Sequence, residues 1–148
     1  MRVVLQRVER AEAFLDGQSV AAIGAGLVAF VGFGREDGPE VVERLAHKAA
    51  NLRVFEEGDS KFGRSLLDVG GEVLLVSQFT VMADTRRGRR PNFSRAAPIE
   101  LAAELYALLA DCLRSAGVRV AAGPFQARLV VDVRNWGPFT LTLDSERR

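Results

Sequence analysis

The stretch that most constrains the fold lies at residues 72–95, where an apolar run passes into a polar cluster and then into a dense arginine run. Residues 73–76 are Val-Leu-Leu-Val, a pattern typical of a buried strand. Ser77, Gln78 and Thr80 interrupt that run directly. Because an unpaired buried polar group costs roughly 1–3 kcal/mol, the pattern predicts partners for these side chains, either in the protein or in a ligand.

Arginines dominate the second half of this stretch. Residues 84–95 hold five arginines and one aspartate, which gives a local charge of +4 in a chain whose net charge is +1. A solvated arginine loop is one interpretation of such a run. Its position directly after the polar end of a strand favours another, a phosphate-binding surface made by Arg86, Arg87, Arg89 and Arg90.

Length and composition limit the class of protein. The chain fits one domain, residues 1–148. Its single cysteine, Cys112, cannot form an internal disulfide, and its place in a helical apolar pattern predicts a reduced, buried thiol in the cytoplasm. No apolar run approaches the ~20 residues of a membrane span, and charged residues interrupt the first strand early, so neither membrane insertion nor export is predicted.

The hydrophobic pattern changes period along the chain. Helical spacing follows Pro39 as far as Leu52, and again from Pro98 to Gly117, where it favours a buried face made by Leu101, Leu105, Leu108 and Cys112. The polar, glycine-rich residues 56–71 are predicted to form a surface loop. Strand patterns cover residues 3–8, 11–15, 19–23, 27–33, 73–76, 118–121, 126–133 and 139–143. Together they predict a mixed α/β domain with a mostly antiparallel, barrel-like sheet and two main helices.

Residues for metal binding or general base catalysis are scarce. The single histidine, His47, lies in an amphipathic helix pattern, which favours a structural or surface role. A serine or threonine hydroxyl is a poor nucleophile without an adjacent base. The sequence therefore predicts neither a metal nor a cofactor.

A second unusual stretch is residues 135–140, Asn-Trp-Gly-Pro-Phe-Thr. A proline ahead of a strand is commonly a turn or edge device. An X-Pro bond can also be cis, and a glycine without a side chain lets the carbonyls of Gly137 and Pro138 approach a ligand closely. Both interpretations are compatible with the pattern.

These stretches resemble the D-aminoacyl-tRNA deacylases. The opening LQRVERAE, the block DVGGEVLLVSQFTVMADTRRGRRPNFS and the terminal NWGPFTLTLDS are similar to the family's N-terminal strand, its SQFTL motif and its Gly-cisPro motif, so the resemblance runs from end to end. Val81 replaces the usual leucine, Phe139 stands where valine is common, and Trp136 stands where a small or acidic residue is usual. The stretch KFGRS, residues 61–65, also departs from the family's typical loop.

The resemblance implies the fold of that family and hydrolysis of the ester that joins a D-amino acid to tRNA. It assigns the catalytic motif to Ser77, Gln78, Phe79 and Thr80, and the reading of chirality to Gly137 and Pro138. It also implies a homodimer whose Gly-cisPro loops reach into each other's sites, with tRNA bound at the arginine run. An aminoacyl ester is already activated, so placing it, polarising its carbonyl with backbone N–H groups near Phe79 and Thr80, and admitting water would suffice.

Two questions about the chemistry follow from this resemblance. The family favours help from the terminal ribose 2′-OH, and Thr80 as a covalent nucleophile is the alternative. If Gly137 and Pro138 carbonyls hold the substrate's amino group, an L side chain collides with the backbone whereas glycine does not. Hydrolysis of glycyl-tRNA, including tRNA(Ala) mischarged with glycine, is therefore expected. The rival functions are a nucleic-acid-binding module without catalysis and a general esterase.

Overall fold

The computed structural model describes residues 1–146 of the 148-residue chain. Its strands are β1 (Arg2–Leu15), β2 (Gln18–Ile23), β3 (Gly26–Gly32), β4 (Phe55–Glu57), β5 (Ser60–Arg64), β6 (Glu72–Ser77), β7 (Arg119–Ala122) and β8 (Val130–Asp144). Its helices are α1 (Pro39–Asn51), α2 (Ile99–Ser115) and a short 3-10 helix, Phe79–Met82. None of the helices within residues 1–146 has the length and apolar character needed to cross a membrane.

The main sheet is assembled around β1. Along one edge β1 pairs antiparallel with β2 and β3, and along the other it pairs antiparallel with β8. Strands β3, β6 and β7 continue the sheet in parallel. The result is a mixed, nearly closed, barrel-like sheet with two main helices, which confirms the predicted fold class.

Both helices contribute to the larger of two apolar clusters. Pro39 stands at the start of α1, where its missing N–H costs no helical hydrogen bond. The helices bury an apolar face in a cluster shared with Val3, Leu5 and Val31 of the sheet. The helix residues in this core are Val42, Leu45, Ala46, Ala49 and Ala50 from α1, and Leu105, Tyr106, Leu109, Ala110 and Leu113 from α2.

The buried face of α2 differs from the predicted one. Of the expected set only Leu105 is buried, while Leu101, Leu108 and Cys112 lie half-buried at the margin of the core. Both faces satisfy helical spacing because α2 carries apolar residues around most of its circumference, so the pattern alone does not select between them. Partial burial raises the pKa of the Cys112 thiol, which is half-buried rather than fully buried.

Several strand predictions were wrong in their extent. β1 and β8 are each one long strand where two shorter strands were predicted, because their mutual pairing continues across the polar residues between the apolar runs. Residues 126–129 precede β8 as irregular chain. Within the predicted surface loop, residues 56–71, the β4–β5 pair forms a hairpin with Gly58 at a φ of +54° in its turn.

Tyr106 connects α2 to two segments of the sheet region. Its buried hydroxyl lies 2.8 Å from both the Leu75 carbonyl and the Gly123 carbonyl, so one donor is shared between two acceptors. Burial also raises the pKa of this hydroxyl. Gly123 precedes the irregular segment before β8, and Tyr106 therefore fixes where that segment starts.

Tyr106→Phe is expected to lower the free energy of unfolding by about 1–2 kcal/mol, because the Gly123 carbonyl loses its donor while the ring stays in place. Urea denaturation should show a lower midpoint with an unchanged m-value. A midpoint equal to that of the wild type would mean that the hydroxyl contributes nothing to stability.

Candidate active site

The predicted catalytic motif, residues 77–80, lies where β6 ends. The Gln78 N–H donates to the Val31 carbonyl at 2.7 Å, which ties the strand end to the central strand β3. The chain then turns into the 3-10 helix, with Ser77 and Gln78 half-buried and Thr80 exposed. Ser77 is thus the last residue of β6, and none of the three polar side chains is fully buried, so they need fewer protein partners than a buried strand would require.

The turn leaves two backbone donors without an acceptor in the protein. Within residues 1–146, neither the Phe79 N–H nor the Thr80 N–H donates to another group of the chain. The first N–H groups of a helix have no acceptor within the helix, which explains their availability. The Gln78 side-chain amide donates to the Thr80 hydroxyl and so orients it. Two adjacent main-chain donors of this kind can bind a developing negative charge on oxygen.

A cavity of about 690 Å³ opens beside this turn. Its walls include Phe33 after β3, Ala97 before α2, and Phe125 in the irregular segment before β8. The exposed Phe79 ring lies at its mouth, 5.0 Å between centroids from Phe93. The sequence does not identify Phe33, Ala97 and Phe125 as wall residues, because an apolar side chain that lines a cavity has no chemical signature that separates it from the core. A cavity of this size accommodates a ligand as large as a nucleoside.

The arginine run forms a closed loop after the 3-10 helix. Asp84 and Asn92 exchange two backbone hydrogen bonds, at 2.8 and 2.9 Å, so the seven residues between them project as one unit with Gly88 in a left-handed conformation. Arg86 folds back on Asp84 through contacts of 2.9 and 2.6 Å. Hydrogen bonds from the side chain and backbone of Arg86 hold the pKa of Asp84 below its ordinary value.

The remaining predicted arginines differ from Arg86. Arg87, Arg89 and Arg90 are exposed, and within residues 1–146 none of them forms an ion pair. Arg95, beyond the loop, pairs with Glu146. The end of the loop is connected to the turn at residues 77–80 through the contact between Phe93 and Phe79. Three positive side chains without an ion pair in the described residues thus project from the loop that follows residues 77–82.

The Gly137-Pro138 stretch lies in a bulge of β8. Between two regular pairs of β1 and β8, four residues of β8, 136–139, face Arg7 alone. The Asn135 side chain closes the bulge by accepting from the Phe139 N–H at 2.7 Å and donating to the Phe139 carbonyl at 3.2 Å. The Gly137-Pro138 peptide bond is cis, and the Gly137 φ of +133° lies in the region that favours glycine.

Arg7 lies directly beneath this bulge and is only 5% exposed. Its Nη1 donates to the Val54 carbonyl at 2.5 Å and its Nε to the Trp136 carbonyl at 3.1 Å. Its guanidinium carbon lies 4.5 Å from the centroid of the Trp136 ring and 5.1 Å from that of Phe139. A Cβ atom added to Gly137 would lie 2.9 Å from Arg7 Nη2, so a glycine is needed there.

Arg7 was not among the residues that the sequence predicted for the site. The signal that could have found it is the alternation of β1, in which Val3 and Leu5 point inward and Arg7 occupies the next inward position. No carboxylate lies within 4.0 Å of Arg7 in the part of the chain that the structure describes. Its charge is balanced by carbonyl dipoles and aromatic faces instead.

The turn at residues 77–80 and the bulge lie at different places on the sheet. Ser77 lies in one row of the sheet with Val31 and Val3, three strand spacings from β8. The bulge lies beside Arg7, four residues further along β1. With strands about 4.8 Å apart and a rise of about 3.3 Å per residue, the path along the sheet between the two sites is roughly 20 Å. The structure therefore does not bring the two predicted motifs together in one chain.

Comparisons with known proteins agree on one family. A model of the D-Tyr-tRNA(Tyr) deacylase family matches residues 4–144. The D-aminoacyl-tRNA deacylase of Roseiflexus castenholzii is 51% identical over 145 residues, which are 98% of this chain and 92% of that protein. The D-aminoacyl-tRNA deacylase of Carboxydothermus hydrogenoformans is 49% identical over 144 residues, 97% of this chain and 99% of that protein.

Solved structures with the same fold were also found. A structure of the c-Myc DNA unwinding element binding protein superposes with a TM-score of 0.92 at 35% identity, covering 97% of this chain and 98% of that chain. A probable eukaryotic D-amino acid tRNA deacylase has a TM-score of 0.84 at 19% identity, covering 96% and 97% of the two chains, and shares the fold.

Together the comparisons define the class of protein as a hydrolase that acts on aminoacyl-tRNA. Within that class the family is identified by two findings. The family model matches residues 4–144, and about half of the residues are identical to those of a relative that is covered over nearly its whole length. The chain belongs to the D-Tyr-tRNA(Tyr) deacylase family, the D-aminoacyl-tRNA deacylases.

Proposed function

We propose that the protein hydrolyses D-aminoacyl-tRNA in the cytoplasm at a site shared by two subunits of a homodimer. The catalytic turn of one subunit, residues 77–80, would face Gly137 and Pro138 of the partner subunit. The observation that carries this proposal is the path of roughly 20 Å along the sheet between the two motifs of one chain, which follows from the sheet register. A single subunit cannot apply both motifs to one ester, whereas a two-fold symmetric dimer can.

The terminal adenosine of the tRNA is placed in the cavity beside the turn. Unstacked bases of RNA bind aromatic side chains, and the cavity offers the rings of Phe79 and Phe125. The ester carbonyl oxygen then accepts hydrogen bonds from the free N–H groups of Phe79 and Thr80. Water attacks the carbonyl carbon, the bond to the ribose oxygen breaks, and a proton passes to that oxygen.

The residues that line the cavity support assistance of the reaction by the RNA. The described residues that line the cavity include no histidine, aspartate or glutamate. Thr80 has a hydroxyl close by, but its partner is the Gln78 amide, which donates a hydrogen bond and cannot accept a proton. The ribose 2′-OH, adjacent to the ester, is therefore assigned the role of assisting the attacking water.

Chirality is read by main-chain atoms of the bulge. The carbonyls of Gly137 and Pro138 lie outside the β1–β8 pairing, while those of Trp136 and Phe139 are occupied by Arg7 and Asn135. Two carbonyls of the partner subunit can thus hold the substrate's amino group. A D side chain then points to solvent, whereas an L side chain is driven into the backbone.

Deacylation of D-tyrosyl-, L-tyrosyl-, glycyl- and L-alanyl-tRNA at limiting enzyme tests the reaction and its selectivity. We expect the D-tyrosyl ester to be hydrolysed and both L esters to survive, because the backbone excludes an L side chain. The glycyl ester should also be hydrolysed, because glycine has no side chain to exclude. One methyl group is worth roughly 1 kcal/mol, so the hydrolysis rates of glycyl-tRNA and D-alanyl-tRNA should differ by tenfold at most. Glycine surviving as well as L-alanine would refute selection by exclusion, and equal hydrolysis of a simple ester would indicate a general esterase.

The arginine loop is proposed to bind tRNA phosphates without taking part in the chemistry. Replacing Arg87, Arg89 and Arg90 together by alanine should weaken tRNA binding and lower the slope of log K against log salt by roughly 2, because each phosphate contact contributes about 0.7–0.9. The single-turnover rate at saturation should stay nearly constant. Arg86→Ala is the matched control, since Arg86 is already paired with Asp84 and its loss should change binding less.

The roles of Thr80 and of the ribose are separated by paired changes in protein and RNA. Thr80→Ala should retain substantial activity, because the hydroxyl only positions the substrate. With a tRNA that ends in 2′-deoxyadenosine, the deacylation rate should fall about 10²–10⁴-fold, the range typical of a missing general acid or base. An acyl-enzyme trapped on Thr80, or a larger loss from Thr80→Ala than from the deoxy substrate, would instead make Thr80 the nucleophile.

A second candidate function comes from the structural relative at 35% identity, which is named for binding a DNA unwinding element. The exposed arginine loop is compatible with any nucleic-acid backbone. Duplex DNA that competes with aminoacyl-tRNA at equal salt, together with absent deacylation, would favour a binding module over an enzyme.

A further inference from the structure

Phe62 of β5 contacts the bulge from the outside. Its ring lies 5.8 Å from that of Phe139, centroid to centroid, at an interplanar angle of 53°. Phe139 in turn faces the guanidinium of Arg7, and Trp136 lies on the same guanidinium. Four side chains thus form a continuous stack in the order Phe62, Phe139, Arg7 and Trp136, hereafter the Arg7 stack.

The Arg7 stack surrounds the loop that is proposed to read chirality. Gly137 and Pro138 lie between Trp136 and Phe139 in the sequence, so both ends of the loop belong to the stack. Arg7 holds the Trp136 carbonyl and leaves no room for a side chain at Gly137. Phe62, which is 54% exposed, belongs to the separate β4–β5 hairpin and forms the outer end of the stack.

We propose that Phe62, Phe139 and Trp136 are positioning residues that hold Arg7 and thereby fix the direction of the Gly137 and Pro138 carbonyls. The inference deepens the proposed function, because it rests on those carbonyls binding the substrate's amino group. With no carboxylate beside Arg7 in the described residues, ring contacts and two carbonyls are what restrain its guanidinium. Each ring removed from the stack releases part of that restraint.

The expected consequence is a loss of selectivity more than a loss of rate. An aromatic pair contributes enough to change an equilibrium by about two- to tenfold. Removing Phe62 should therefore raise the population of other loop orientations by that factor while the original orientation remains the major one. L substrates react through the minor orientations, so their rate rises by the same factor, and the rate for D substrates falls at most about twofold.

The test compares Phe62→Ala with Phe62→Tyr, and uses Lys61→Ala on the same exposed strand as the control. Single-turnover deacylation of D-tyrosyl- and L-tyrosyl-tRNA is measured with saturating enzyme. Phe62→Ala should lower the D-over-L ratio about two- to tenfold through a faster L reaction, whereas Phe62→Tyr and Lys61→Ala should keep the wild-type ratio. An unchanged ratio, or D and L rates that fall together, would overturn the proposal.

A second measurement needs no substrate. Trp136 is the only tryptophan of the chain, so its fluorescence reports on the stack directly. Phe62→Ala should increase acrylamide quenching and lower the emission anisotropy of Trp136, and Lys61→Ala should change neither. Unaltered quenching in Phe62→Ala would refute the stack as a restraint. A wild-type enzyme without D-over-L preference would refute the proposed function, and the quenching result would still decide whether the stack restrains the loop.

Discussion

The pairing of β1 along both of its edges determines where every part of the candidate site lies. Its register with β3 places the end of β6, and with it the catalytic turn, whereas its register with β8 places the bulge around Gly137. A slip of one residue would exchange the inward and outward faces of β1 and expose Arg7 to solvent. The distance between the two halves is therefore a property of the sheet, and in the proposed dimer the second subunit would complete the site without any bending of the first.

The chemistry of the cavity matches a reaction that needs placement more than acid–base groups. Correct positioning alone can supply about 7–11 kcal/mol of a barrier, and a single oxyanion donor about 2.7–4 kcal/mol. The turn at residues 77–80 provides two such donors on a rigid strand end, and its side chains are limited to hydroxyls, an amide and a phenyl ring. These groups suffice for an activated ester that carries its own neighbouring hydroxyl. They do not suffice for a peptide bond, which is neither activated nor next to such a hydroxyl.

The sequence predicted the features whose signals are local, and missed those that depend on pairing between distant segments. The polar residues after a buried strand pointed to the turn at residues 77–80, whose catalytic role stays a prediction, and the Gly-Pro pair pointed to an irregularity that the structure shows to be a bulge of β8. Both main helices were predicted from the helical period of their apolar residues. The buried face of α2 was not, because apolar residues lie around most of its circumference. Arg7 was missed since its partners, Val54 and Trp136, lie 47 and 129 residues away. The continuity of β8 was missed for the same reason, because it depends on β1 rather than on its own composition.

The way Arg7 is held has a consequence for a loop proposed to bind an ammonium group. An ion pair would restrain the guanidinium equally well, but it would place a carboxylate beside the loop. A substrate amino group would then find an anionic acceptor stronger than the Gly137 and Pro138 carbonyls, and the geometry that excludes L side chains would be lost. Aromatic faces restrain the guanidinium without adding a negative charge. The two carbonyls remain the strongest acceptors that the loop offers, so an arginine held by rings is compatible with the proposed selection by exclusion.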